Sequence, residues 1–156
     1  MKKKVILTAA LSCALGSAAY AEDFSVVAGA CKVDPSAVPY VFQNFGGSIT
    51  FAGSATGTIS LWCPIDHPID APGFIELLAT DNAVRSEGFV QALYYGMNGA
   101  SGNPTLIGGL ISTTNQLITQ NTVIDPHGLN TYYYVRVNLY RSRAGQSVVF
   151  HGLSVY

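Results

Sequence analysis

The chain has 156 residues, of which 49% are hydrophobic and only 11% charged, with a formal net charge of −1. The length suits a single domain, and so large an apolar share supplies an ample core. Charged residues fall well below the usual quarter, so the surface must be wetted mainly by Ser, Thr, Asn, Gln and Gly.

The chain opens "MKKKVILTAALSCALGSAAYAED". Three lysines, an apolar run and small residues closing on Ala19-Tyr20-Ala21 form the pattern of a secretory signal peptide, so 1–21 is read as a leader and 22–156 as the mature domain. Lipidation at Cys13 is the alternative, but the third position before it is Ala10 rather than leucine, and soluble export is preferred. Without the leader, five basic residues (Lys32, Arg85, Arg136, Arg141, Arg143) stand against nine acidic ones, a net charge of −4. No basic patch is left for counterion release, so nucleic acid is not an expected partner. No second long apolar run follows, so no stable membrane insertion is expected after cleavage. A secreted or periplasmic protein is the reading.

Short β-rich runs then recur between Gly, Pro, Asn and Asp: 24–28, 40–44, 48–53, 57–63, 74–80, 89–96, 105–113, 116–124, 131–141 and 147–156. Strands spaced by turn formers, with no helices to build parallel crossovers, predict an all-β antiparallel β-sandwich, most simply a jelly roll. Cys31 and Cys63 are the only cysteines after the leader. An even pair in an exported chain reads as one disulfide, closing a loop worth about 3.5 kcal/mol of chain entropy. In 57–63, alternation sets Ile59, Leu61 and Cys63 on the apolar side, opposite Ser60 and Trp62.

The stretch "LWCPIDHPID" (61–70) gathers Cys63, Asp66, His67 and Asp70. Pro64 and Pro68 each remove a backbone donor, so the ladder is expected to stop after Cys63 and a loop to follow, with the aspartates serving turns. A metal reading would need Asp125 and His127 of "IDPHGLN" to meet that loop. The two clusters share no ligand spacing, so no metal and no cofactor is assigned. Catalysis finds no support either: no serine lies in G-x-S-x-G, His151 falls within a strand, and nothing joins Glu76 or Glu87 into a carboxylate pair. No catalytic residue is assigned, and the protein is read as a non-enzyme.

The clearest alternation lies in 131–141. Tyr133, Val135, Val137 and Leu139 share one face; Tyr132, Tyr134, Arg136, Asn138 and Tyr140 share the other. The second set mixes flat rings with hydrogen-bonding groups and is the candidate ligand face, suited to a neutral glycan. Tyrosines also favour strands and pair across them, and that plainer reading of the face is preferred.

Ala30-Cys31 after a short first strand, Gly46-Gly47 opening "GGSITFAGSATGTISLWCP" and the late "NTYYYVRVNLYR" together resemble a group of small exported β-sandwich proteins of proteobacteria. The resemblance spans nearly all of the mature chain and implies a fold, with no catalytic residue or cofactor attached. "AGACKVDPSAV" is also similar to the region around the first cysteine of chaperone–usher fimbrial subunits, which donate an N-terminal extension as a strand to a neighbour. Here residues 22–30 alone precede Cys31, and Tyr156 is last rather than next to last. The function expected is that of a structural or interaction protein of the cell envelope, with an envelope protein as partner; Lys32, the only mature lysine, leaves sheet edges lightly guarded. The alternatives are a carbohydrate-binding module and a surface-fibre subunit.

Overall fold

The computed structural model describes residues 24–65, 73–112, 114–123 and 132–155. Residues 1–21, expected as a leader, and Asp66, His67, Asp70, Asp125 and His127 lie outside the described residues. Among the described residues no helix is long and apolar enough to cross a membrane.

Among the described residues eleven strands make two antiparallel sheets: β1 (Phe24–Val27), β2 (Lys32–Val33), β3 (Val41–Gln43), β4 (Ile49–Phe51), β5 (Gly57–Ile65), β6 (Gly73–Asp81), β7 (Gly88–Met97), β8 (Pro104–Ile111), β9 (Ile118–Val123), β10 (Tyr132–Arg141) and β11 (Val148–Val155). The first sheet runs β3-β4-β11-β6-β9, with β1 also on β11; the second runs β2-β5-β10-β7-β8. From β4 onward the chain crosses between sheets at every step except β7 to β8, and β10 inserts between β5 and β7. That winding is the jelly roll expected from the strand pattern.

Alternation fixes which residues become core. On β10 Tyr133, Val135, Val137 and Leu139 are buried; on β5 Ile59, Leu61, Cys63 and Ile65 are; on β7 Val90, Ala92 and Tyr94 are. The first sheet meets them with Ile49, Phe51, Ile75, Leu77, Val148, Phe150 and Leu153. The Cys31–Cys63 bond is present, with Cα atoms 4.4 Å apart. It ties the residue before β2 to the buried face of β5 and so clamps a two-residue edge strand that has little pairing of its own. β2 meets β5 at only Lys32↔Trp62 and Val33↔Leu61.

The expectation that pairing stops after Cys63 is corrected. Pro64 stands opposite Tyr134 and Ile65 opposite Tyr133, within β5. β2 ends its pairing at Trp62, so beyond that point no strand among the described residues pairs with that side of β5, and a missing proline donor there costs no ladder bond.

Two features shape β11. His151 is an extra residue between Phe150↔Ala79 and Gly152↔Leu78, a bulge in β11 where it pairs with β6. At the same place the neighbour on the other edge changes, from β4 beside Val149 and Phe150 to β1 beside residues 152–155. Gly152 is needed here, because a Cβ would stand 2.6 Å from the Val26 carbonyl oxygen. The His151 ring spans the bulge, with Nδ1 2.8 Å from Ser48 Oγ and Nε2 2.8 Å from Thr80 Oγ1. Its burial pulls the imidazole pKa down, since desolvation disfavours the charged ring. His151 is therefore a structural bridge in the first sheet.

A second polar knot joins the sheets at their far end. The buried Asp81 carboxylate accepts from Ser112 Oγ–H at 2.8 Å and from the Ala83 amide at 2.9 Å, while Ser112 Oγ accepts from the Val90 amide at 2.9 Å. The buried carboxylate is thus supplied with donors, as burial demands.

Candidate functional site

The site grows from β10 outward. With Tyr133 to Leu139 turned inward, Tyr132, Tyr134, Arg136, Asn138 and Tyr140 must all stand on the outer face of the second sheet, in a row of about 27 Å at the usual strand rise. The five expected residues do share one face. Tyr132 is largely exposed at one end and the other four are half-buried. The register shows what supports them: on one side Pro64, Trp62, Ser60 and Thr58 of β5, on the other Met97, Tyr95, Leu93, Gln91 and Phe89 of β7.

Near the Tyr132 end the face is aromatic. Tyr134 stacks on Tyr95 with centroids 5.2 Å apart and planes 13° from parallel, and meets Trp62 at 5.3 Å. Ring separations of this size fall in the favourable range for aromatic pairs. The Arg136 guanidinium lies 5.3 Å from the Trp62 ring centre, a cation–π arrangement that holds the side chain along the sheet. Crowding by neighbouring side chains raises the Tyr134 pKa, first through desolvation and then through Tyr95, with Arg136 acting in the opposite sense.

The middle of the face is polar. Ser60 Oγ–H donates to Asn138 Oδ1 at 2.8 Å, and Asn138 Nδ2 donates to Gln91 Oε1 at 3.4 Å. This chain across β5, β10 and β7 sets the amide orientations. At the far end Tyr140 packs on Phe89 at 5.3 Å. Beside Gln91, a depression of about 390 Å³ is lined by Arg85, Leu93, Gly109, Leu110 and Ile111. Gly109 lets β8 approach β7 closely there: a Cβ would stand 2.9 Å from both the Ala92 carbonyl oxygen and Leu93 Cδ2.

On the opposite rim Lys32 sits directly across from Trp62. Asp34 follows it, its carboxylate accepting from the Ser36 hydroxyl at 2.6 Å and the Ser36 amide at 2.9 Å. These bonds hold its pKa low, with a smaller contribution from Arg136. Such an arrangement offers flat apolar rings beside fixed amide, hydroxyl and guanidinium groups. It contains no nucleophile held against an oriented base. Among the described residues no three His, Cys, Asp or Glu side chains gather as metal ligands.

Trp62, Tyr95 and Gln91 belong to this face although β10 alone did not call for them. Trp62 could have been found by laying the alternation of 57–63 against that of 131–141. Tyr95 and Gln91 needed the register, because residues on both faces of β7 are mostly apolar.

Among solved structures the chain is similar to the xylan-binding module CBM15. That match has a TM-score of 0.53 and 13% identity, over 85% of this chain and 95% of the module. The fold is shared. Other matches are the CBM22-1–GH10 modules of the Clostridium thermocellum endo-1,4-beta-D-xylanase 10B, complexed with xylohexaose (TM-score 0.49, 6% identity, 85% of this chain and 25% of that one), and TmCBM61 complexed with beta-1,4-galactotriose (0.44, 15%, 88% and 89%). No family model and no curated protein matches the sequence.

Proposed function

We propose that the protein is an exported, non-catalytic carbohydrate-binding module whose ligand lies on the outer face of the second sheet. The observation that carries this is the Trp62–Tyr134–Tyr95 cluster, set beside the Ser60–Asn138–Gln91 chain and open to solvent. Sugars present apolar C–H faces edged by hydroxyls, and rings flanked by oriented donors and acceptors match both. The jelly-roll fold shared with a xylan-binding module supports the reading at the level of architecture only. The single disulfide fits an oxidising compartment.

A glycan array with the mature protein, followed by isothermal titration of the best glycan into wild type and Tyr134→Ala, tests it. Millimolar or tighter binding by wild type, weakened at least tenfold in the variant, is expected. An empty array, or equal binding by the variant, defeats the proposal.

A second reading, docking on an envelope partner, is favoured by the opposite sheet. Its edge strand β3 carries exposed Phe42, and exposed Val38, Tyr40 and Phe45 lie close in sequence. Unpaired edges with apolar side chains invite pairing with another chain. Cross-linking in cells bears on it: a partner captured in wild type and lost in Phe42→Lys supports docking, and no captured partner counts against it.

A further inference from the structure

Five basic side chains follow the leader, and the structure disposes of two of them. Arg141 is buried and donates to the carbonyls of Gly53, Ala55 and Gln146. Arg143 pairs with Glu87 at 2.9 Å, and Gln146 donates to the same carboxylate at 2.7 Å. The other three surround the proposed glycan face: Lys32 across from Trp62, Arg136 at its centre, and Arg85 in the depression beside Gln91. From β2 to β8 the sheet measures about 19 Å at the usual strand spacing, so these cations cross its full width.

Arg136 is under-used by the protein itself. Its Nη2 reaches Ser60 Oγ only at 3.5 Å, and its Nε is buried without a hydrogen-bond partner. Among the described residues it forms no ion pair. Asp34, the acidic group on this rim, is already taken up by Ser36. A guanidinium held beside a tryptophan with its Nη donors short of protein acceptors is unusual in a chain whose mature net charge is −4, and a ligand oxyanion would supply those donors with charge-assisted hydrogen bonds. A basic strip on an acidic protein also focuses anions onto the face.

We infer that the ligand is an acidic glycan, with a uronate carboxylate received by Arg136 while the sugar ring rests on Trp62 and Tyr134. Lys32 and Arg85 extend the track for further negative groups along the polymer. The planar guanidinium fork matches a carboxylate in two parallel hydrogen bonds, which Lys cannot reproduce. This rests on the glycan reading above and replaces the neutral ligand expected from the residues of this face.

The test is isothermal titration of the mature protein with matched pairs: oligogalacturonate and its methyl ester, a glucuronic-acid-substituted xylotetraose and plain xylotetraose, and a sulfated galactan oligomer and its desulfated form. The expected result is a uronate member binding at least tenfold tighter than its neutral partner at low salt. That advantage, read as the ratio of acidic to neutral affinity within each protein, should shrink as salt rises and disappear in Arg136→Gln. Arg136→Lys should keep the salt dependence and lose affinity. Neutral members binding as well as their acidic partners, or an acid preference that survives Arg136→Gln, would overturn the inference and leave the glycan reading standing. Preference for the sulfated member alone would overturn the assignment to a carboxylate. Binding to none of these, with an empty array, removes the glycan reading and the inference together.

Discussion

Two tyrosine pairs lie one residue apart on the same two strands and do different work. Tyr94 and Tyr133 stack at 5.7 Å and 9° on the inner face; Tyr95 and Tyr134 stack at 5.2 Å and 13° on the outer face. Residue type, strand pair and ring geometry are nearly the same. They differ in register, Tyr95 standing directly opposite Tyr134 while Tyr94 opposes Val135 and meets Tyr133 diagonally, and in parity, since a shift of one residue sends a side chain to the other side of a sheet. The inner pair is sealed between sheets, with Tyr94 1% exposed. The outer pair faces water next to Trp62 and Arg136. Parity therefore separates a ring that holds the fold from a ring free to meet a ligand.

The sharpest way to break this contrast is to truncate each pair in turn. Tyr94→Ala leaves a large cavity and is expected to cost about 3–5 kcal/mol in urea unfolding. Next comes the disulfide: Cys31→Ser with Cys63→Ser should cost about 3.5 kcal/mol by the loop-entropy relation and loosen β2, and with it the Lys32 rim. Tyr134→Ala removes only half-exposed contacts, so about 0.5–1.5 kcal/mol is expected, the scale of an aromatic pair, even as glycan affinity falls. If Tyr134→Ala destabilises as much as Tyr94→Ala, the outer pair is structural and the comparison fails.

The smallest expected effect belongs to His151. Its folded pKa lies below the ordinary value of 6.5 because of burial. Folding thus favours the neutral ring: the unfolded chain takes up the proton first as pH falls through about 6.5, and stability drops until the folded ring protonates too. Above that window the contribution is fully present. Urea midpoints between pH 7.5 and 5.5 should therefore fall more in wild type than in His151→Gln. Parallel curves for the two proteins would show the ring to be uncoupled from folding.

What could be read in the sequence follows the same logic of parity. β5 and β10 alternate cleanly, so their inner residues, the Cys31–Cys63 pairing and the outer set Tyr132, Tyr134, Arg136, Asn138 and Tyr140 were legible. β7 was not, because Phe89 and Leu93 outside are as apolar as Val90 and Ala92 inside; the place of Tyr95 and Gln91 depends on which strand lies next to β10. β2 is two residues long and carries no pattern, which hid the position of Lys32 beside Trp62. Pro64 was misread because proline stops a ladder only where a neighbour needs its donor, and a free edge is a property of the sheet order. The bulge at His151 is likewise invisible in sequence, since it arises where β11 exchanges β4 for β1.

The most direct measurement uses Trp62, the only tryptophan in the chain, which stands beside Arg136 on the face in question with 37% of its surface exposed. Acrylamide quenching of its fluorescence should fall when the glycan selected by the array is added, saturating at the affinity found by titration. Saturating glycan that leaves Trp62 as open to acrylamide as before would place the ligand elsewhere and contradict the assignment of this face.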